Sequence, residues 1–358
     1  MVRTSNILMI GAMFAGVVAV ATPVTAKTVK ITVAAAPPPL VTFVGAFKDI
    51  VTKKIDGRLA SPEGKGFKIE WNHAYSSSLA SFNEVFETVE EGIAGAGLIL
   101  KNFEPSNLPL EAYAVYMPFV KPTRAQLVNI DGNMRKKIPE MAKAYTKHNQ
   151  VYLQSGGNDS MQLFTKFPVT KFVDLSGRKL GASGTFAQWL RGTGAVSVNS
   201  SMNQSFTNIK NGVYEGYPIS ETLGFVYKTW AAAPYFTQID FGPSVVSGIS
   251  FNAEVWKSLP THVQTIIREE SAKWPTYLDA IDMKKKGKFV GIMKKKGVKF
   301  SVLAAEERKK WVTAMPNIAK EWAARPEKKG LPGNKMVSTY MEELRAAKVE
   351  IIRDWDKN

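Results

Sequence analysis

The sequence predicts an α/β protein built as two lobes, each a mainly parallel sheet with helices on its faces. Three observations lead there. Strand-like and helix-like periods alternate in β-α-β-α-β order between residues 28 and 100, and the alternation restarts after Gln150. The chain has 358 residues with 45% hydrophobic content, enough for two separate cores. The expected division puts the first lobe at 27–150 plus about 241–275, the second at 151–240 plus about 276–330, and a C-terminal helix packing on both at 331–358.

The first strand is 28–34, where Val29, Ile31 and Val33 alternate with polar residues, and Pro37, Pro38 and Pro39 end it. Leu40 to Ile55 carries apolar residues at helical spacing up to Gly57. Phe67 to Trp71 is a second strand. In the segment from Ala80 to Glu91, Phe82, Val85, Phe86 and Val89 fall at i, i+3, i+4 and i+7, so one helical face packs while Glu84, Glu87 and Glu90 stay wet. Gly92 punctuates its end, and the small apolar run Ile93 to Leu100 is a buried strand. Beyond Gln150, Val151 to Gln154 and Lys179-Leu180 read as strands, Phe186 to Arg191 as a helical turn, and Met202 to Asn211 as a helix closed by Gly212. Helices are expected at Pro260 to Trp274, Met283 to Lys296, Ala304 to Trp322 with Pro316 inside, and Met336 to Trp355, with a late strand at Val298 to Val302.

The first 26 residues stand apart from this globule. Arg3 supplies a positive start, Ile7 to Val20 an apolar stretch, and Val24-Thr25-Ala26 a small-residue cleavage site. A signal peptide at 1–26 follows, with export to a periplasm; the competing reading, a membrane anchor, needs a longer apolar run of about 20 residues. Cysteine is absent, which removes disulfides and thiolate chemistry. The net charge of +16 is concentrated partly in Lys284, Lys285, Lys286, Lys288, Lys294, Lys295 and Lys296. We read this run as a solvated helix face rather than an anion-binding site. An exported chain has little access to nucleic acid, so no such partner is expected.

Catalytic signatures are missing. His73, His148 and His262 lack metal-ligand spacing, so no metal is expected. Gly181-Ala-Ser183-Gly184 has the start of a nucleophile elbow, but Thr185 occupies the place of its last glycine. Neither a phosphate loop nor a dinucleotide fingerprint occurs, no cofactor is expected, and no enzyme is predicted. An exported, cysteine-free chain of two α/β lobes without catalytic groups points to a binding protein whose lobes close over a small molecule.

Three segments give that reading a family. Asp174-Leu-Ser-Gly-Arg-Lys-Leu180, then Gly194-Ala-Val-Ser197, then Asn211-Gly-Val-Tyr-Glu-Gly216 resemble, in order and spacing, the core signature of solute-binding proteins of tripartite ATP-independent periplasmic (TRAP) transporters of the dicarboxylate-receptor type. Ser77-Ser78-Leu79, Met117-Pro118-Phe119 and Trp256-x-x-Leu259-Pro260-x-x-Val263-Gln264 agree with it, so the resemblance runs from about Lys27 to near residue 330. It implies a two-lobed periplasmic binding protein with a ligand cleft between the lobes and a long bridging helix. It further implies a receptor that binds a small organic acid and delivers it to TRAP membrane permease subunits driven by an ion gradient; a monomer is expected.

The family grips its acid with an arginine two residues after the signature lysine, because a guanidinium fork matches both carboxylate oxygens. Here Gly181 stands at that place. A second cationic position of some relatives corresponds to Met161, the wall before the last binding helix to Met202, and a polar group of the cleft to the segment from Tyr217 to Glu221. The cleft is therefore expected to be less charged than its relatives'. A buried carboxylate without a cation is costly, and two substitutes are readable. Lys101, ending the strand before it, is either a cleft cation or a solvent-facing strand end. The hydroxyls and amides of Ser76, Ser77, Ser183 and Thr185 are a possible anion cradle. Alternatively Tyr75, Phe186, Trp189 and Tyr217 surround an amine or neutral group with Glu221 as counter-charge, or the chain serves an ABC-type or sensor-coupled system. The preferred solute is a small organic acid with an apolar or aromatic part.

Overall fold

The computed structural model describes residues 27–244 and 247–357. The expected signal peptide lies outside them. The strands of the first half are β1 (Lys27–Ala34), β2 (Phe67–Ala74), β3 (Ala96–Leu100), β4 (Gln150–Gly156) and β5 (Leu163–Thr165). They are followed by β6 (Lys179–Ala182), β7 (Val196–Asn199), β8 (Gly216–Pro218), β9 (Tyr235–Gln238), β10 (Ser247–Asn252) and β11 (Lys299–Val302).

One sheet has the order β2-β1-β3-β10-β4. β1 runs parallel to β2 in continuous register from Lys27↔Phe67 to Ala34↔Ala74, and parallel to β3. The alternation of β1 is used as its period demands: Ile31 and Val33 are buried, with Ile31 in the core beneath the helical segment 42–59, where Val44, Phe47, Val51 and Ile55 are also buried. That segment contains a π turn at Phe47–Val51 and runs two residues past Gly57, to Leu59. The opposite face of the sheet is covered by the short helix Val85–Glu90 and by Tyr145.

The second lobe holds the sheet β11-β9-β5-β8 and the parallel pair β6-β7. Its core is Phe164, Ile209, Tyr214, Tyr217, Phe236 and Met293. The two larger sheets are mainly parallel in strand direction, each with one reversed strand where the chain arrives from the other lobe. β10 is antiparallel to both its neighbours, and β5 to both of its own. β10 and the pairing of the short β5, β8 and β9 carry no clear period of their own, so only the assembled sheets define them.

Three segments join the lobes. β4 hydrogen-bonds wholly within the first sheet, so the first crossing falls after Gly156, not at Gln150. A side chain at Gly156 would collide with Ser247 and the Trp274 ring, at 2.8 and 2.9 Å from its Cβ, so this crossing requires glycine. The second crossing lies between β9 and β10. The third is the helix Trp274–Lys295, which bridges the lobes: Trp274 and Leu278 sit in the first lobe's core, while Phe289 stacks on Phe225 at 4.0 Å and Met293 enters the second core.

Elsewhere the local expectations shift at their ends. The helix expected from Ala80 starts at Val85; the one across Pro316 divides into Ala305–Ala314 and Ile318–Glu327; the last spans Gly333–Ala346 and gives way to an irregular tail. Pro316 lacks the amide that a continuous helix would need. Helices Arg124–Lys137 and Glu140–Lys147 are unassigned from the sequence; the first, started by a Thr123/Gln126 capping box, packs on the bridging helix, and the second on β4 of the first sheet. An apolar cluster including Trp189, Trp311, Trp322, Tyr340 and Trp355 fastens the C-terminal helices to both lobes.

Candidate functional site

Between the lobes lies a cavity of about 60 Å³. The first lobe lines it with Phe43, Phe82, Asn102 and Phe103; the second with Met161, Phe186, Met202 and Tyr227; the bridging helix adds Leu278 and Asp282. Aromatic rings form part of the wall, with Phe82 and Phe103 tilted against each other at 5.6 Å. The space suits a compact solute with an apolar body.

Of the residues singled out from the sequence, Met161, Phe186 and Met202 stand on this wall. The others do not line it. Tyr75 is buried with its hydroxyl 2.8 Å from His73 Nδ1, and Ser77 donates to the Ala36 carbonyl at 3.2 Å. Tyr217 donates to the Ser200 carbonyl at 2.7 Å from inside the second core. Glu221 pairs with Lys286 of the bridging helix at 2.8 Å, and Ser183 is buried. Gly181 is a buried strand residue whose Cβ would lie 2.5 Å from the Tyr214 ring. The space an arginine would need is occupied by tyrosine.

Lys101 requires a correction. It does not end at the cleft mouth, either as a ligand cation or facing water. It is fully buried behind the wall, with Nζ 2.9 Å from Glu111 Oε2, 3.0 Å from Ser155 Oγ and 3.9 Å from Asp131. Arg135 completes the cluster with Glu111 at 2.6 Å and Asp131 at 2.9 Å. Burial pushes the Asp131 carboxyl up, but Arg135 and Lys101 outweigh it and hold the group well below the usual carboxylate range. Two cations facing two carboxylates leave Lys101 no charge to spare for a solute.

The cation on the cavity wall is Arg124, which the sequence did not reveal. It follows the capping residue Thr123, and its side chain is 7% exposed. Its guanidinium donates to the Gly157 carbonyl and to Asp282, and lies 3.3 Å from Asp159 and 2.6 Å from Asp279. Asp159 in turn accepts from the Thr222 hydroxyl at 3.1 Å. Burial first, and the neighbouring Asp159 second, push the Asp282 carboxyl up to about 6 against the pull of Arg124. One guanidinium thus ties together the first lobe, the first crossing, the bridging helix and, through Thr222, the second lobe. The lysine run is likewise not wholly solvated, since Lys285 donates to the Leu40 carbonyl at 2.8 Å while Lys286 reaches Glu221.

Two neutral wall residues have shielded side-chain polar atoms without a partner among the described residues. They are Asn102, at both its amide nitrogen and its oxygen, and Tyr227, at its hydroxyl. Asn102 is 4% exposed. Its only trace in the sequence is its place next to Lys101 at a strand end.

Residues 32–325 match the model of the bacterial extracellular solute-binding proteins of family 7. A comparison with curated proteins finds no match. Among solved structures, an extracytoplasmic solute receptor of Bordetella pertussis binding pyroglutamic acid superposes with a TM-score of 0.72 at 19% identity, over 88% of this chain and 100% of that one. A TRAP periplasmic solute-binding protein of Desulfovibrio salexigens with bound orotic acid gives 0.74 at 18%, over 88% and 99%. One from Pseudomonas putida F1 with bound D-glucuronate gives 0.69 at 18%, over 84% and 94%. At such identities these likenesses establish the fold, while the family match spans most of the chain. These proteins bind substrates and are not enzymes. The chain is a member of the bacterial extracellular solute-binding proteins, family 7.

Proposed function

We propose that this protein is the periplasmic receptor of a TRAP transporter, closing its lobes over a small organic acid with an apolar or aromatic body and passing it to an ion-gradient-driven permease. The observation that carries this reading is the largely apolar cavity at the lobe junction, with the buried Arg124 guanidinium on its wall. Pyroglutamate, orotate and glucuronate, the solutes of the three similar structures, are all small acids.

In place of the family's arginine, Arg124 meets the carboxylate. Arg124 already faces Asp159, Asp279 and Asp282, so a fourth carboxylate would be repelled unless one of these takes up a proton on binding, and Asp282 is already poised near 6. Acid affinity then strengthens as pH falls from 8 towards 6. The surplus of acid over base on this wall also supports a second reading, an ammonium group held by Asp159 and Asp282 among the rings.

A thermal-shift screen against organic acids, amines and neutral solutes separates them. A ligand at one hundred times its Kd stabilises by about 2.7 kcal/mol. Stabilisation by acids, larger at pH 6 than at pH 8, is expected. A response to amines alone would exclude the acid reading.

A further inference from the structure

The bridging helix Trp274–Lys295 carries a face that neither lobe uses. Between Met283 and Ala305 the chain has eight lysines, no aspartate or glutamate, and no arginine. Two of the eight are committed within the protein: Lys285 donates to the Leu40 carbonyl of the first lobe, and Lys286 pairs with Glu221 of the second. These contacts pin the helix and fix its rotation. At about 100° per residue, the buried Asp282, Phe289 and Met293 define the inner side, and Lys284, Lys288, Lys294 and Lys295 fall on the outer one. All four are exposed, and none pairs with a carboxylate among the described residues. The exposed Lys296 and Lys299 continue the charge past the end of the helix. The acids that precede the run, Asp279 and Asp282, are both taken by Arg124.

Lys284 and Lys288 lie one turn apart, where like charges repel and weaken a helix. Nothing inside the protein offsets this, so the benefit lies with a partner of opposite charge. The choice of lysine narrows that partner. Contacts between proteins favour arginine, whose fork fixes a carboxylate, and are poor in lysine. An ammonium on a flexible stem is a hydrated point charge, drawn to a diffuse negative surface without fixed pairing. Gly287 and Gly291 lie among the outer lysines with open space where a Cβ would stand, so no side chain there holds a flat partner away. Met283, 76% exposed, adds an apolar side chain beside the charges, the mixture found on helices that lie in a headgroup layer.

We infer that the outer face of the bridging helix docks on an anionic phospholipid bilayer through Lys284, Lys288, Lys294 and Lys295. The lysines begin two residues beyond Asp282 of the cavity wall, so docking brings the lobe junction to the membrane surface. The attraction confines the receptor to a layer about one Debye length deep, about 8 Å at physiological salt, beside the bilayer that holds its permease. The inference rests on the extracytoplasmic receptor reading above and not on which solute the cavity takes.

The test is flotation of the purified exported protein with vesicles of phosphatidylcholine alone and of phosphatidylcholine with about 30% phosphatidylglycerol, at about 50 mM and about 500 mM sodium chloride. Binding to the anionic vesicles at low salt, lost at high salt and absent from the neutral ones, is expected. A lysine near such a surface contributes about fivefold, so Lys284→Gln, Lys288→Gln, Lys294→Gln and Lys295→Gln combined should weaken binding by about tenfold or more. Lys143→Gln, Lys147→Gln, Lys328→Gln and Lys329→Gln remove the same charge from exposed positions elsewhere, and combined should weaken it by less than about threefold. All eight side chains are exposed, so both variants should melt close to the parent temperature. Absence of binding to the anionic vesicles at low salt would overturn the inference and point to an acidic protein segment instead. Equal weakening by the two variants would reduce the effect to net charge and overturn it as well, as would equal binding to neutral vesicles. None of these results touches the solute reading, since none of the eight lysines lines the cavity.

Discussion

Lys101 and Asn102 are neighbours with opposite assignments. The strand end was expected to send a lysine into the cleft; the turn that follows β3 instead rotates Lys101 towards Glu111 and Asp131 and gives the wall to asparagine. Full burial of a lysine is tolerable only where carboxylates meet it, and those carboxylates are supplied by other parts of the chain. Nearby Glu104 is a buried acid with a poorer outcome. Burial pushes its carboxyl up to about 8, against a long contact from Asn107 and a backbone hydrogen bond from Phe86. Between about 4.5, the ordinary value, and about 8 the folded protein holds a proton that the unfolded chain has released. This group's contribution to stability therefore falls as pH rises through that window. Glu104→Gln, which imitates the protonated form, should flatten this slope and exceed the parent in stability at pH 9, as urea unfolding between pH 5 and pH 9 would show.

At the scale of elements, β6 decides what becomes of the family's anchor. Its pairing with β7 fixes Gly181 opposite Val198 and directs its missing Cβ at the Tyr214 ring, whose hydroxyl is held 3.0 Å from Ser200. The absent arginine was legible in the sequence. The tyrosine that fills its space was not, since it lies 33 residues along the chain and meets Gly181 only through packing. Restoring the arginine by Gly181→Arg should thus cost about 1–3 kcal/mol through overpacking. Combined with Tyr214→Ala it should cost less than the sum of the two single changes, a coupling that a double-mutant cycle measures. Helix 124–137 escaped notice because its apolar residues form no clean stripe against a single surface; 140–147 has such a stripe, with Met141 and Tyr145 buried, but is only two turns long, whereas the marked helical periods of 80–91 and 260–274 were placed to within a few residues.

At the scale of the molecule, Arg124 is the residue on which the junction turns. Its partners lie 33, 35, 155 and 158 positions away, on the first crossing and the bridging helix. Arg124→Met should leave Asp159 and Asp282 uncompensated and cost about 3 kcal/mol at pH 7.5. The loss should shrink at pH 5, where Asp282 is protonated, and denaturant unfolding at the two pH values would reveal the difference. Small-angle scattering of the same variant should show a more open pair of lobes.

What the sequence by itself determined is what neighbours along the chain can express. The period of β1, the glycines and prolines that end elements, and the order of short motifs sufficed for two α/β lobes and for the family. Met161, Phe186 and Met202 reached the wall because the motif order carries their places along with it. Only the tertiary structure decided which strands run backwards, where the first crossing falls, and which polar groups face the cavity. A side chain's direction at the end of a strand changes with a single residue of turn. The partners that then satisfy it, as Glu111 does for Lys101, or leave it open, as at Asn102, come from segments brought together by folding.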